Sequence, residues 1–145
     1  MKAFYDSNVF LKFLGGDREA GELIDSVFEG TVEGVINWVV LSEVTFGYLK
    51  LATNLRPYDL KKKLSKIDID LNPVRELLEP FRVLEASYTP DELFSTIKAF
   101  GLLPNDALIA LTCQREKIPL VSFDSDFDSV PDLRRIANFK ELLGE

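Results

Sequence analysis

The amino-acid sequence predicts a three-layer α/β/α fold with a central five-stranded parallel sheet. Two observations support this prediction: short apolar runs alternate along the chain with longer segments of helical periodicity, and two of those runs end in an aspartate. Strands that are separated by helices form parallel sheets, because each crossover helix packs back onto a face of the sheet. The predicted strands are residues 2–6, 32–38, 82–86, 119–124 and, with a weaker signal, 135–137.

Helices are predicted between these strands, and several begin with a recognisable N-terminal signal. Pro57 and Pro90 stand at first helical positions, where a backbone N–H is not needed. Thr89 and Glu92 have the spacing of a capping box. The Lys-rich stretch 61–66 is expected to be a solvated helix face rather than an RNA-contacting patch. The predicted helical segments are 18–29, 39–53, 57–66, 73–80, 90–101 and 104–117.

The chain length of 145 residues predicts one globular domain that spans residues 1–145. Hydrophobic residues make up 46% of the chain and include 11 phenylalanines, which is enough material for one core. No run approaches the roughly 20 apolar residues of a membrane span. The N-terminal segment is too polar after Tyr5 for a secretory signal. We therefore expect a cytoplasmic protein without a membrane segment.

The chain contains no histidine and only one cysteine, Cys113, and these absences exclude several kinds of site. Without histidine there is no Ser-His-Asp triad, no Cys-His pair and no imidazole acid–base catalysis. A single cysteine cannot form an intrachain disulfide or a multi-cysteine zinc site. The remaining metal ligands are oxygen atoms, which suit Mg²⁺, Mn²⁺ or Ca²⁺.

The net charge of −7 disfavours an overall attraction to nucleic acid. Three interpretations remain open at this point. Part of the charge belongs to a metal site and is neutralised by bound ions, or the acidic surface attracts a basic partner protein. In the third interpretation the acidic composition has no specific role.

Four acidic residues, Asp6, Glu43, Asp106 and Asp124, stand where structure alone does not require a charge. Asp6 and Asp124 each end a predicted strand, and Asp106 opens a very apolar helix. Each of the three has an ordinary local explanation, as a helix cap, a turn former or an acid at the positive end of a helix. Glu43 lies among apolar residues, and a buried carboxylate needs a cation or strong hydrogen-bond donors.

Taken together, these four carboxylates predict a metal site. The carboxyl ends of parallel strands meet at one edge of the sheet, where ligands bind in α/β folds. Like charges packed together are unstable unless cations occupy the site. Two divalent ions about 3.5–4 Å apart activate water and neutralise a phosphate transition state without histidine.

The same residues lie in four motifs that resemble those of PIN domains, and the nearest resemblance is to single-domain VapC-like toxins. The order and spacing of the motifs match over nearly the whole chain. The motifs are Asp6-Ser7-Asn8 followed by an apolar helix, Leu41-Ser42-Glu43-Val44, Pro104-Asn105-Asp106-Ala107-Leu108-Ile109-Ala110, and Ser122-Phe123-Asp124-Ser125-Asp126-Phe127.

This resemblance implies a five-stranded parallel sheet flanked by helices and a ribonuclease that depends on Mg²⁺ or Mn²⁺. It implies cleavage of RNA, usually single-stranded, by metal-activated water, which leaves 5′-phosphate and 3′-hydroxyl ends. It also implies pairing with a small antitoxin, whose basic residues would reach the acidic cleft. The expected metal ligands are Asp6, Glu43, Asp106 and Asp124, with Asp126 as an outer or second-metal ligand, and the supporting hydrogen bonds come from Ser7, Asn8 and Ser122.

Helix 39–53 carries more apolar surface than one face packed on a sheet needs. We expect another chain to cover part of it, either a second copy in a homodimer or an antitoxin helix. The alternative is a central helix that is buried on most sides within one domain.

Three other functions compete with the ribonuclease interpretation. A calcium loop beginning at Asp124 would need Gly and Glu where Ser129 and Arg135 stand, so that interpretation fails. A phosphatase of the haloacid-dehalogenase type would carry its Asp-x-Asp pair at the start of the fold, whereas here only about 20 residues follow the pair. A non-catalytic interaction or RNA-processing module with the same fold remains the alternative.

Overall fold

The central sheet has five strands, and all neighbouring strands run parallel. The protein is described from a computed structural model, which covers residues 1–144. The strands are β1 (Lys2–Tyr5), β2 (Glu33–Ile36), β3 (Arg82–Val83), β4 (Leu120–Val121) and β5 (Arg135–Ile136). Their order is β3-β2-β1-β4-β5, which places β1 at the centre. Each predicted strand is present, and the three-layer α/β/α prediction is confirmed.

Eight α-helices flank the sheet within residues 1–144. They are α1 (Ser7–Leu14), α2 (Arg18–Phe28), α3 (Trp38–Thr53), α4 (Pro57–Lys63), α5 (Asn72–Leu78), α6 (Pro90–Phe100), α7 (Pro104–Glu116) and α8 (Phe139–Leu142). A short 3-10 helix, Ser125–Ser129, follows β4. None of these helices is long and apolar enough to cross a membrane.

The predicted helix starts at the prolines and the capping box are confirmed. Pro57 and Pro90 begin α4 and α6. The Thr89 Oγ1 accepts from the backbone N–H of Glu92 at 3.1 Å, and the Glu92 Oε1 accepts from the backbone N–H of Thr89 at 3.1 Å. The backbone N–H groups of Thr89 and Glu92, which have no partner within the helix, are therefore both hydrogen-bonded, as a capping box requires.

Several predicted boundaries were wrong, and each error has a local cause. Trp38 begins α3 instead of ending β2, because the side chain of Asn37 caps the helix by accepting from the N–H of Val40 at 3.1 Å. The third strand ends at Val83, since β2 stops at Ile36 and leaves later residues without a neighbouring strand. Helix α4 ends three residues earlier than predicted, although residues 61–66 are all exposed as expected.

The core lies on both faces of β1, where Ala3, Phe4 and Tyr5 are fully buried. Aromatic rings connect this strand to its neighbours: the Phe81 ring meets the Tyr5 ring at 5.1 Å and the Phe10 ring at 4.7 Å between centroids, both edge to face. Such edge-to-face pairs add stability beyond their buried area. The start of α1 is thereby fixed against the sheet.

A close contact between α1 and α3 sets the position of Glu43. A Cβ atom at Gly47 would lie 2.2 Å from the Cδ2 of Leu11, so a larger residue there would require the Leu11 side chain to move. Gly47 stands four residues after Glu43 on the same face of α3. The close packing therefore brings Glu43 near the beginning of α1.

Candidate active site

Two of the predicted site residues follow directly from the register of the central strands. β1 pairs with β4 so that Tyr5 is opposite Val121, and the backbone N–H of Asp6 donates to the Val121 carbonyl at 3.0 Å. Asp6 and Ser122 are therefore neighbours at the carboxyl edge of the sheet, as expected for ligand-binding positions in α/β folds.

Asp6 is buried, and its carboxylate accepts two hydrogen bonds. Its Oδ1 accepts from the backbone N–H of Ser7 at 2.8 Å, which caps α1, and its Oδ2 accepts from the hydroxyl of Ser122 at 2.7 Å. Burial raises the pKa of Asp6, and the nearby charges of Glu43 and Asp124 raise it further, against the lowering effect of the two hydrogen bonds. The local capping role and a place among the clustered acids therefore coexist in one residue.

Ser122 connects the segments that follow β1 and β4. Its Oγ donates to Asp6 and accepts from the Asn8 side-chain amide at 3.2 Å and from the Asp124 backbone N–H at 3.0 Å. The Asn8 Oδ1 in turn accepts from the Phe123 N–H at 3.3 Å. These bonds fix the two strand ends relative to each other.

The aspartates after β4 have different environments. The Asp124 Oδ1 accepts from the backbone N–H of Asp126 at 2.9 Å, whereas Asp126 itself is exposed. Asp128 forms two bonds with the Arg135 guanidinium, at 2.8 Å and 3.0 Å, and this ion pair lowers the pKa of Asp128. The same guanidinium donates to the Ser122 carbonyl at 3.2 Å. Arg135 therefore binds both ends of the loop that carries Asp124, and no local sequence pattern indicates this role.

Glu43 lies half-buried on α3, next to another acid of the group, Asp106. Its Oε1 is buried and accepts no hydrogen bond, the one such side-chain atom in the part of the chain that the structure describes. Burial raises the pKa of Glu43 and the charge of Asp106 raises it further, while polar side chains at Ser7 and Asn105 oppose the rise. The ion pairs found in residues 1–144 do not include Glu43. A buried acceptor in this state is costly unless a cation or donor meets it.

Asp106 completes the group from the first turn of α7. Burial raises its pKa to about 6, together with the charges of Asp6, Asp124 and Asp126. The structure thus brings all five predicted acids into one electrostatic field. Asn105 precedes Asp106 in the same sequence motif and is a polar neighbour of Glu43. It is not among the site residues predicted from the sequence.

The donor set suits a divalent cation, although it is not a closed cage. Within residues 1–144, no three acidic or cysteine side chains are already arranged to hold one ion together. Mg²⁺ does not require such a cage, because it keeps several water ligands and binds proteins through one or two carboxylates. The unpartnered Oε1 of Glu43 and the mutually raised pKa values are what a site for a hard cation would show.

Comparison with known proteins gives a consistent result. The model of the PIN domain family matches residues 3–133. The chain is 41% identical to Ribonuclease VapC2 of Methanocaldococcus jannaschii over 140 residues, which cover 93% of each chain. It is 32% identical to Ribonuclease VapC6 of the same organism over 139 residues, covering 88% of this chain and 91% of that one. In fold it resembles a toxin-antitoxin complex from Klebsiella pneumoniae, with a TM-score of 0.64, 19% identity and coverage of 93% and 96% of the two chains.

Proposed function

The chain belongs to the PIN domain family, and on that basis we propose that it is a metal-dependent ribonuclease of the VapC type. The observation that carries the proposal is the cluster of acids at the carboxyl edge of the sheet, which we call the acidic cleft, where the buried Oε1 of Glu43 has no partner. Its members are Asp6, Glu43, Asp106, Asp124 and Asp126. Relatives that are named ribonucleases and are similar over most of the chain support the substrate class. The test is cleavage of single-stranded RNA by the purified protein and by a variant that lacks one carboxylate of the cleft.

We assign the metal ligands to the cleft acids, with Mg²⁺ or Mn²⁺ as the ion. Glu43, Asp106 and Asp124 would each offer carboxylate oxygens, and the carboxylate of Asp6 would join them while it keeps its bonds to Ser7 and Ser122. Asp126 would act as an outer or second-metal ligand. When bound, a divalent cation supplies neutralisation of phosphate charge and lowers the pKa of water.

The chain's own hydrogen bonds orient these acids. Ser122 and Asn8 hold the segments that carry Asp6 and Asp124, so the two carboxylates keep their relative position before substrate arrives. Such preorganised support is worth about 10- to 100-fold in metal affinity or activity in metal sites. The exposed position of Asp126 leaves its carboxylate accessible at the mouth of the cleft.

The metal assignment predicts a rise in thermal stability when Mg²⁺ or Mn²⁺ is added. A cation relieves the repulsion between the acids in the folded state only, and a ligand at 100 times its dissociation constant stabilises by about 2.7 kcal/mol. The unfolding midpoint should therefore rise by several degrees relative to EDTA. Na⁺ at matched ionic strength is the control, since general screening would act through any cation. Equal midpoints in EDTA and in millimolar Mg²⁺ or Mn²⁺ would contradict a metal site.

We also propose that the protein forms a homodimer and binds a small antitoxin with basic residues. Helix α3 buries Val40 and Val44 but leaves Phe46 43% and Leu51 60% exposed, so the helix is not covered on all sides by its own domain. A second chain would remove this apolar surface from water. The net charge of −7 would attract a basic partner over a longer range.

Sedimentation at micromolar concentration is expected to show a species of about twice the 16.4 kDa chain mass. The Leu51→Asp variant should shift this species toward the monomer, because a charge would be placed in the apolar contact. Phe28→Asp is the matched control, since Phe28 is 51% exposed at the end of α2 rather than on α3. A wild-type protein that sediments as a clean monomer would remove the support for self-association.

A further inference from the structure

A cavity of about 390 Å³ opens at the carboxyl ends of β2 and β3. Its walls include Trp38 at the start of α3 and Tyr88 in the segment after β3. Asn37, Val39, Leu108 and Thr112 also line it, together with one charged residue, Glu85. The volume lies in the range of small-molecule sites, about 300–1,000 Å³. None of these residues belongs to the acidic group described above.

The cavity is one helical turn away from the acidic cleft on two helices. On α3, Val39 lines the cavity and Glu43 follows four residues later on the same face. On α7, Leu108 lines the cavity and Asn105, the polar neighbour of Glu43, stands three residues before it. Residues at these spacings have Cβ atoms about 5–6 Å apart. The cavity is therefore within the reach of one nucleotide from the cleft.

Polar groups form the inner end of the cavity, and they are held in place. The Thr112 Oγ1 donates to the Leu108 carbonyl at 2.8 Å and accepts from the Asn37 amide at 3.3 Å. Since its own proton is engaged, Thr112 accepts from the Tyr88 hydroxyl at 2.5 Å. The second amide proton of Asn37 and the lone pairs of the Tyr88 oxygen remain for a ligand. A ligand thus meets a donor and an acceptor beside an aromatic wall.

Trp38 provides that wall, since its side chain is 59% exposed although the indole is the largest apolar group in the chain. The Arg115 guanidinium lies over the Tyr88 ring, 4.9 Å from the ring centroid, and Arg115 is itself paired with Glu92. The cavity therefore presents aromatic side chains, and the charge of Arg115 is already balanced by Glu92.

This combination favours a neutral, flat ligand over a phosphate. The net charge of −7 disfavours an overall attraction to the RNA backbone, and the cavity lining contains Glu85 but no Lys or Arg to neutralise a phosphate. Unpaired bases bind proteins by stacking on aromatic side chains and by hydrogen bonds to their edges. We propose that the cavity binds an unpaired nucleobase of the RNA strand whose phosphate lies at the acidic cleft, with Trp38 as the stacking surface and Asn37 and Tyr88 as the groups that read its edge. The proposal rests on the ribonuclease function for the identity of the strand.

The chain offers a direct probe of this site, because Trp38 is its one tryptophan. Single-stranded RNA homopolymers of each base, titrated in EDTA to prevent cleavage, are expected to change the fluorescence of Trp38 to saturation. The midpoint should differ between bases, because the polar groups of the cavity are fixed. It should change little between 50 and 200 mM salt, whereas 6–10 phosphate contacts would weaken binding about 10³- to 10⁵-fold over that range.

Cleavage kinetics provide the second measurement. Trp38→Ala is expected to raise KM by at least about fivefold, the lower range for loss of one stacked base, with kcat little changed. Trp38→Phe should recover most of the loss, and Phe28→Ala, at an exposed aromatic outside the cavity, should have no effect. Thermal midpoints equal to the wild type would show that the variants are folded.

The two measurements separate this proposal from the ribonuclease function. In one outcome the wild-type protein cleaves RNA, Trp38→Ala leaves KM unchanged and RNA does not change the Trp38 fluorescence. This outcome would overturn the cavity proposal but not the ribonuclease function. If the wild-type protein cleaves no RNA, the ribonuclease function is overturned. The fluorescence titration then decides by itself whether the cavity binds a nucleobase. A base-dependent response would support the cavity, and no response would reject both.

Discussion

Replacing Asp6 by asparagine is expected to abolish metal-dependent RNA cleavage while the protein stays folded. The charge of Asp6 lies among Glu43, Asp124 and Asp106, and its removal would weaken the hold on a divalent ion. Loss of metal stabilisation is worth several kcal/mol, or about a thousandfold or more in rate. The measurement is the rate of cleavage of a single-stranded RNA in Mg²⁺ or Mn²⁺, with EDTA as the blank.

The fold should survive because asparagine keeps the capping role of Asp6, although its amide nitrogen cannot accept the bond that the Ser122 hydroxyl donates to Asp6. An asparagine side chain still accepts the backbone N–H at the start of a helix and is as good an N-cap as aspartate. Asp17→Asn is a matched control, since the Asp17 Oδ2 caps α2 by accepting from Ala20 at 2.9 Å and Asp17 was not assigned to the cleft. This control should cleave at the wild-type rate. Full activity in Asp6→Asn would argue against the metal cleft, and no cleavage by the wild type would favour a non-catalytic module.

The Glu43→Gln variant is expected to be at least as stable as the wild type without metal, yet to lose cleavage and most of the response to Mg²⁺ or Mn²⁺. Glutamine keeps the shape of the side chain but removes a buried charge whose Oε1 has no partner. It also removes the repulsion from Asp106 that contributes to the raised pKa of Glu43. Thermal melts in EDTA and in metal, together with the cleavage assay, measure the two effects separately.

A competing explanation for Glu43 predicts the opposite change in stability for Glu43→Gln. If a buried Lys or Arg balanced the carboxylate, loss of the charge would destabilise the fold by about 3–5 kcal/mol. Glu22→Gln is the control, because Glu22 lies on α2 in a surface pair with Arg18 at 3.8 Å and should affect neither cleavage nor the metal response. A strongly destabilised Glu43→Gln protein with normal Glu22→Gln behaviour would end the ligand assignment.

The order of strands and helices could be predicted because its signals are local. The capping box of Thr89 and Glu92 needs only residues three apart, and Pro90 fixes its own backbone angle. The four-residue helix α8 was not predicted, since so short a segment contains barely one helical turn and therefore no periodicity to detect. The end of β3 was also missed, because it depends on where the neighbouring strand stops.

The candidate acids could be named from the sequence, but their environments could not be. The sequence does not decide whether Asp6 caps a helix or belongs to the group of clustered acids. In the structure Asp6 does both, since it accepts hydrogen bonds from the neighbouring Ser7 and from Ser122, which is 116 residues away. The sequence does not distinguish the aspartates that follow β4. In the structure Asp128 pairs with Arg135, whereas the backbone N–H of Asp124 donates to the hydroxyl oxygen of Ser122. The bond between Asp6 and Ser122 could not be predicted because the two residues are distant along the chain, and the pairing of Asp128 depends on where β5 places Arg135.

The sequence by itself determined the fold class, the absence of histidine chemistry and the set of acids available to hold a cation, because composition and short-range spacing decide these. Only the tertiary structure decided that Glu43 keeps a buried oxygen without a partner and that Asn37, Tyr88 and Thr112 meet in a cavity beside it. Hydrogen bonds and desolvation act through distances in space, and those distances are fixed by how β1, α3 and α7 pack.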